Sequence, residues 1–218
     1  MEASHHIALL SSAYLGPVQY YSKIISYPRI FIERFETYHK QSYRNRCIIY
    51  AANGPLVLSI PVFEGPRAKA SMRELQLTYD HNWQQLHWRS IFSAYKNSPY
   101  FEYYADDLAP YYHEKRWQYL IDFNSGIQEV VLKAINSKPE IKYTESYVKS
   151  GETAEGTDDF RYSIHPKLHK QRIDNDFLAA HYHQVFNDRT EFTPNLSILD
   201  LLFNEGPQTL TVLRSCLR

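Results

Sequence analysis

The chain has 218 residues, and its 24 Lys and Arg balance 24 Asp and Glu, so the formal net charge is zero. Domains whose main task is to bind nucleic-acid phosphates are usually strongly basic, so we expect no nucleic-acid partner, although one local basic site is compatible with this balance. Hydrophobic residues make up 44% of the chain, which is typical of a folded protein. No apolar stretch has the length of a membrane helix and no signal peptide is recognisable, so we expect a cytoplasmic protein without a membrane span.

The N-terminal part of the chain predicts a strand, a helix and a second strand. Ile7–Ser11 is a short apolar run that is typical of a buried strand. Val18, Tyr21 and Ile25 then recur at helical spacing, and Ile30–Phe35 is rich in β-branched and aromatic residues. This order is a βαβ unit, whose strands pair in parallel through a right-handed crossover. We therefore expect both strands to end at the same edge of a sheet.

The next segments predict a hairpin and then helices. Two strand-like runs, Cys47–Ala51 and Leu56–Pro61, flank Asn53-Gly54, the dipeptide that most strongly signals a tight hairpin turn. Leu75–Tyr79 is compatible with a further strand. Apolar stripes at helical spacing follow from Trp88 to Tyr95, from Phe101 to Leu108 and from Trp117 to Ala134.

Together these elements predict an α/β fold with a small mixed sheet begun by the βαβ unit, helices packed on it, and a helical C-terminal part. Residues 1–148 are assigned to the α/β core domain. Residues 149–160 are polar and contain glycine, which indicates a polar loop or linker. Residues 161–218, with Leu199 and Phe203 at helical spacing, form the C-terminal helical part, which we expect to pack on the core.

The sequence lacks several common catalytic signatures: GxxxxGK[ST], GxGxxG, HExxH and GxSxG. Ten histidines suggest a metal site, above all the pairs His165/His169 and His181/His183 with aspartates nearby. A polar, histidine-containing surface is the interpretation that we favour, because neutral surface histidines are common. We therefore predict no metal site.

The two cysteines, Cys47 and Cys216, lie almost a full chain length apart. Two cysteines are too few for a disulfide framework or a cysteine-based zinc site. We expect both to be free thiols, as is usual in a reducing compartment.

The densest polar stretch, Tyr38–Arg46, leaves the end of the second strand and enters the hairpin. A solvated loop is one interpretation. A functional one rests on geometry: open α/β sheets bind ligands outside the carboxyl ends of their strands, and Tyr14 follows the first strand at the same edge. Lys40, Arg44 and Arg46 would give this cleft a positive lining suited to phosphate or carboxylate groups.

His87 is a further candidate, because it lies beside Trp88 at the border of a predicted helix's apolar stripe. We favour a hydrogen-bonded structural histidine at this position. A general base is the alternative, since histidine is the side chain most often used for proton transfer.

Several segments in a fixed order carry a resemblance to a known family. They are Tyr38–Cys47, Asn53-Gly54 with Leu58–Val62, Trp83 with His87, Tyr95 and Pro99–Phe101, Tyr182–Phe186, and Pro194–Gly206. On these segments the chain resembles the WbqC-like protein family, in the form typical of Bacteroidetes-type bacteria, over nearly its whole length. The resemblance implies a role in surface polysaccharide biosynthesis, with a transferase that acts on a sugar nucleotide or acylates an amino sugar as the usual conjecture.

The chain departs from the family pattern at two places. The usual Gln-Pro-aromatic turn after the first strand is here Ser12–Pro17. The acidic pair that usually precedes the Tyr-x-Lys segment is replaced at Arg34-Phe35, with Glu33 and Glu36 on either side. If that pair performs acid–base or metal chemistry in other members, the role does not transfer directly to this chain.

The leading hypothesis is a transferase-like enzyme that acts on an activated sugar or amino sugar, either a glycosyltransferase or an acyl- or aminoacyl-transferase, with its cofactor left open. The candidates for binding the anionic substrate are Tyr14, Tyr38, Lys40, Arg44, Asn45 and Arg46, and those for moving a proton are His87 and Glu36. The rival is a non-catalytic nucleotide- or glycan-binding protein that uses the same cleft. A homo-oligomeric scaffold with a tyrosine-rich interface comes last. An enzyme needs a titratable group within hydrogen-bond reach of the anion, whereas a binding protein needs only donors and aromatic walls.

Overall fold

The computed structural model describes residues 7–63, 70–186 and 191–218. Within these ranges the chain forms eight strands and seven α-helices. The strands are β1 (Ile7–Ser11), β2 (Arg29–Glu33), β3 (Arg46–Ala51), β4 (Gly54–Ser59), β5 (Val62–Phe63), β6 (Gln76–Leu77), β7 (Glu140–Tyr143) and β8 (Thr157–Asp159). The helices are α1 (Val18–Ser26), α2 (Trp83–Tyr95), α3 (Phe101–Leu108), α4 (Pro110–His113), α5 (Leu120–Ala134), α6 (Ile198–Glu205) and α7 (Thr209–Ser215).

The largest sheet has four strands in the order β7-β2-β1-β8, and every neighbouring pair is parallel. β1 pairs with β2 from Ile7 opposite Arg29 to Ser11 opposite Glu33, and α1 connects them. The predicted βαβ unit and the α/β fold class are therefore confirmed. The β3–β4 hairpin forms a separate antiparallel sheet, so the parallel and antiparallel strands lie in different sheets and not in one mixed sheet.

The fourth strand comes from a segment without a strand pattern. Thr157–Asp159 lies within residues 149–160, which the sequence indicates to be a polar loop or linker, and it pairs with Ile7 to Leu9 of β1. Three polar residues show no alternation of apolar and polar positions, so the sequence gives no sign of this strand. Because β2 and β8 lie on opposite sides of β1, the strand order changes direction at β1.

The C-terminal helices α6 and α7 both contact α1, whose residues 18–24 are buried. Two backbone hydrogen bonds join the segment just before α6 to the N-terminal part of the fold. They run from Val18 N–H to the Leu196 carbonyl at 2.9 Å and from Ser197 N–H to the Ile48 carbonyl at 2.8 Å. The Ser197 hydroxyl also caps α6 by accepting from Leu199 N–H at 3.4 Å. The division of the chain into domains at residues 149 and 161 stays a prediction.

Candidate functional site

Parallel pairing brings the ends of four strands to one edge of the sheet, which we call the carboxyl edge. Ser11 ends β1, Glu33 ends β2, Tyr143 ends β7 and Asp159 ends β8. Ligands of open α/β sheets bind outside this edge, most often where the strand order changes direction. The end of β1 is therefore the place where the fold most favours a ligand site.

Glu36 and Arg44, two of the predicted site residues, meet at the carboxyl edge. The Arg44 guanidinium donates from Nε to Oε1 of Glu36 at 2.8 Å and from Nη2 to Oε2 at 2.5 Å. Nη2 also donates to the hydroxyl of Ser11 at 2.7 Å. The Arg44 and Glu36 side chains are only 6% and 5% exposed, so they form a buried, two-pronged ion pair next to the end of β1.

A second guanidinium, that of Arg161, lies at the end of β8. It donates to both carboxylate oxygens of Asp159, from Nε at 2.8 Å and from Nη2 at 2.7 Å. Its Nη1 donates to the Val148 carbonyl at 2.7 Å and lies 3.4 Å from Oε2 of Glu33. The Glu33 carboxylate also accepts from the Thr144 hydroxyl, so every charge in this group has partners.

These five charged groups form what we call the edge cluster: Glu33, Glu36, Arg44, Asp159 and Arg161. The sequence pattern gave Asp159 only as one of the aspartates near the histidine pairs and did not point to Arg161, because these residues lie at the end of the segment indicated to be a linker and just after it. The only sequence signal was an acidic pair followed closely by an arginine. This pattern indicates a site at the carboxyl edge only when β8 is known to pair with β1.

A narrow cavity opens among these side chains at the end of β1. Its lining includes Ser11, Ser12, Arg44, Phe160 and Arg161, and its volume is about 10 Å³. That volume accommodates about one water molecule. Arg44 contributes to this lining, and among the described residues no hydrogen bond uses its Nη1.

The pKa of His39, in the predicted polar stretch, is affected by positive charge near Arg44. Partial burial lowers the pKa of His39, and the positive charges of Arg44 and Lys170 lower this pKa further, while the carboxylate of Glu36 opposes them. The effect of Lys170 is informative because Lys170 is distant from His39 in sequence. Two segments of the chain therefore bring basic groups to the same region.

The pKa of His165, in the segment that carries Lys167 and Lys170, is lowered by the same kinds of groups. Burial lowers its pKa, as do the charges of Lys170, Arg44 and Lys167, although its Nδ1 accepts a hydrogen bond from Lys167 N–H at 3.0 Å. The Lys167 ammonium donates to the side-chain oxygen of Gln41, which joins the two segments directly. We call His39, His165, Lys167 and Lys170 the basic rim of the edge cluster.

Tyr14 and His87, both predicted site residues, are in contact, but they lie in the core. The Tyr14 hydroxyl is 3.0 Å from Nδ1 of His87 and 2.8 Å from the Tyr112 hydroxyl. Burial lowers the pKa of His87 to about 4, against a hydrogen bond to the Ser59 backbone that raises it. His87 is therefore neutral near pH 7, and its Nδ1 lies within hydrogen-bond distance of the Tyr14 hydroxyl, an arrangement that fits a structural histidine.

The other predicted substrate-binding residues differ in their surroundings. Asn45 is buried, and its amide donates to the Ile60 carbonyl at 2.8 Å, whereas its Oδ1 has no partner among the described residues. Arg46 begins β3 and is half-buried. Tyr38 is half-buried against the core, and Lys40 is exposed. The structure thus places Arg44 and Glu36 in the edge cluster, and the substrate-binding roles of these other residues stay predictions.

Within the described residues, no group of three or more His, Cys, Asp and Glu side chains is arranged to hold a metal ion. His181, one of the histidines considered for a metal, packs its ring 4.2 Å from that of Phe192. Cys47 and Cys216 are free and buried. A membrane-crossing helix is also not found in the described part of the chain, where all helices are too short or too polar.

Comparison with known proteins gives a family and one relative of unknown activity. The model of the WbqC-like protein family matches residues 12–162 and 154–212. The uncharacterized protein Rv1507c of Mycobacterium tuberculosis is 25% identical over 231 aligned positions, which cover 96% of this chain and 98% of that protein. No solved structure shows a significant match.

Proposed function

The chain belongs to the WbqC-like protein family, and from this membership we propose that it is a group-transfer enzyme acting on an activated sugar or amino sugar in surface polysaccharide biosynthesis. The observation that supports the proposal is the convergence of positive charge on the carboxyl edge. Arg44 lies within the edge cluster, and the charged residues of the basic rim are Lys167 and Lys170, whose segment the Lys167 ammonium joins to Gln41. Such a setting suits the phosphate groups of an activated sugar.

In the proposed reaction the acceptor's hydroxyl or amine forms a new bond to the transferred glycosyl or acyl group, while the bond between that group and its carrier, the nucleotide phosphate or the acyl carrier, breaks. The leaving group departs as an anion, which Arg44 and the basic rim stabilise. The acceptor's proton passes to a base. Of the two predicted bases, Glu36 fits better, because it lies beside Arg44, whereas His87 is enclosed between Tyr14 and Ser59.

One observation favours the alternative, a non-catalytic protein that binds a nucleotide or glycan. Both carboxylate oxygens of Glu36 already accept hydrogen bonds from Arg44, so the candidate base is occupied in this structure. A binding protein needs the same positive rim but no free base.

Isothermal titration calorimetry with UDP-N-acetylglucosamine and a mass-spectrometric assay for transfer to amino-sugar acceptors separate these functions. We expect binding and transfer by the native protein. The variant Lys167→Ala/Lys170→Ala should bind at least about tenfold more weakly, because each charge-assisted contact to phosphate contributes roughly 1.5–3 kcal/mol. The predicted binding residues are tested in the same way by Lys40→Ala/Arg46→Ala. Lys96→Ala, which removes an exposed lysine at the end of α2, should leave binding unchanged.

One further variant should behave differently in an enzyme and in a binding protein. Glu36→Gln should bind the nucleotide sugar but lose transfer if the protein is an enzyme. Tight binding without transfer across donors and acceptors would support the binding protein instead. Absence of binding to any anionic donor would contradict both the enzyme and the nucleotide-binding protein.

A further inference from the structure

A cleft of about 570 Å³ lies between α5 and the strands β2 and β7. It adjoins the edge cluster without belonging to it, since Ser12 lines both this cleft and the narrow cavity at the end of β1. Small-molecule sites typically have volumes of about 300–1,000 Å³, so the cleft is large enough for a ligand. None of the site residues predicted from the sequence lines it.

Two buried polar side chains face the cleft at its inner end. Ser12 is 4% exposed and Gln128 is 7% exposed. The Ser12 oxygen accepts from the amide of Asn124 at 2.9 Å, which fixes its position, but the Ser12 proton has no acceptor among the described residues. Gln128 contacts the Tyr20 hydroxyl at 3.3 Å through its oxygen, and its amide nitrogen has no partner in the described part of the chain.

The Ser12 hydroxyl and the Gln128 amide nitrogen can both donate into the cleft, because neither hydrogen has an acceptor among the described residues. Polar groups of this kind are mostly paired with protein, water or ligand. Ser12 and Gln128 both line an open cleft of ligand size. They are therefore suited to bind the hydroxyl or carbonyl oxygens of a small molecule.

The remaining lining of the cleft has a different chemistry. Ile32, Leu132 and Ile141 supply apolar lining, and Tyr143 adds a half-exposed aromatic ring. Apolar and aromatic side chains pack well against the flat, less polar face of a sugar ring. The cleft thus combines polar groups with apolar walls.

Two lysines, Lys133 and Lys138, also line the cleft. Neither forms an ion pair with a carboxylate of the described residues, although Glu129 also lines the cleft one helical turn before Lys133. Gln128 and Lys133 are five residues apart on α5, which corresponds to roughly 7 Å along the helix axis. This rise is comparable to the length of one sugar ring.

We infer that the cleft binds a sugar phosphate, either free or as part of a nucleotide sugar. Ring hydroxyls accept hydrogen bonds from Ser12 and Gln128, the ring packs against the apolar walls beside Tyr143, and the phosphate lies between Lys133 and Lys138. The binding of a sugar phosphate in the cleft is independent of the proposed function. The further statement that this ligand is the substrate at the edge cluster rests on the proposed function.

Calorimetry with four probes tests the site: glucose 1-phosphate, UDP-glucose, glucose and inorganic phosphate. Glucose 1-phosphate or UDP-glucose should bind, and the tighter of the two identifies the free or the nucleotide-linked source. Glucose and phosphate alone should bind at least about tenfold more weakly, because each makes only half of the contacts. Binding of phosphate as tight as that of glucose 1-phosphate would overturn the inference.

Variants locate the bound probe. Lys133→Ala/Lys138→Ala and Gln128→Leu should each weaken binding by about tenfold or more. Ser12→Ala should act in the same direction, and it provides a second measurement if Gln128→Leu does not fold. The matched control is Lys142→Ala, which removes an exposed lysine of β7 that does not line the cleft. Absence of binding, or binding that these substitutions leave unchanged, would contradict the site.

A failure of the cleft proposal and a failure of the proposed function give different experimental results. Binding that depends on Gln128 and the two lysines, without any transfer reaction, would support the cleft and contradict the enzyme. Transfer activity with probe binding that is insensitive to the cleft variants would support the enzyme and contradict the cleft.

Discussion

Asn124 on α5 ties together two residues of the carboxyl edge: its amide donates to the hydroxyl of Ser12 at 2.9 Å and to the backbone carbonyl of Arg44 at 2.8 Å. The side chain is 1% exposed, so this double contact is shielded from water. It fixes the segment that carries Arg44 against the segment that follows β1. The guanidinium of Arg44 is thereby directed at Glu36 and Ser11.

Removing Arg44 alone should therefore be costly. Arg44→Met leaves the Glu36 carboxylate buried without its partner, and breaking a buried ion pair typically costs about 3–5 kcal/mol. The double variant Arg44→Met/Glu36→Leu removes both charges and should be clearly more stable than the single variant. Urea denaturation measures both free energies of unfolding. Equal losses in the single and double variants would show that the pair is not a coupled unit.

Much of the fold follows from local sequence patterns. The β1–α1–β2 unit is predictable because apolar runs of strand length flank a helical spacing, and the hairpin because Asn53-Gly54 separates two strand-like runs. β8 is not predictable from its own residues, because Thr157–Asp159 is polar and joins the sheet only through its pairing with β1. The strand is a product of tertiary structure.

The same distinction applies to the site. Arg44 was identifiable because the polar stretch follows a predicted strand end, where α/β sheets bind ligands, and Glu36 because it lies beside the position of the family's acidic pair. Arg161 and the place of Asp159 at the carboxyl edge were missed with β8, and the cleft at Gln128 was missed because a glutamine within a helical stripe has no distinctive pattern. Long-range packing brings these groups together, and one sequence contains little information about it.

Gly206, at the end of α6, should tolerate no side chain. Its φ is 50°, and a Cβ at this position would lie 2.4 Å from the Tyr100 ring. Gly206→Ala combines backbone strain of roughly 1–2 kcal/mol with overpacking of about 1–3 kcal/mol, so a loss above 2 kcal/mol is expected. Gly54→Ala is the matched control, since its φ is 107° but nothing lies within 4 Å of the added Cβ. Similar losses of melting temperature in both variants would contradict the steric contribution of Tyr100.

Protonation of the buried Asp200 carboxyl group should stabilise the folded protein as the pH falls from 7 to 4. Burial raises its pKa to about 6, although hydrogen bonds from Tyr182, Tyr95 and Gln184 oppose this. Because the folded-state pKa lies above that of the unfolded chain, near 3.8, the stabilising contribution is complete below about 3.8 and is lost as the pH rises through about 6. Relative to Asp200→Asn, the native protein should gain about 2 kcal/mol between pH 7 and pH 4. Parallel pH profiles of the two proteins in urea denaturation would refute this assignment.

His87 should produce the opposite pH dependence over a similar range. Burial lowers its pKa to about 4, below the usual value of 6.5 in an unfolded chain. The neutral ring therefore contributes stability that is complete above about pH 6.5 and is lost as the pH falls through about 4, because the unfolded state binds the proton more readily. Compared with His87→Gln, which keeps a polar side chain toward Tyr14, the native protein should lose about 3 kcal/mol between pH 7 and pH 4. The imidazole of His87 should also remain neutral by NMR at pH 6, because its pKa of about 4 lies well below that pH. An imidazole of His87 that titrates near pH 6.5 would place it in contact with solvent and reopen its role as a general base.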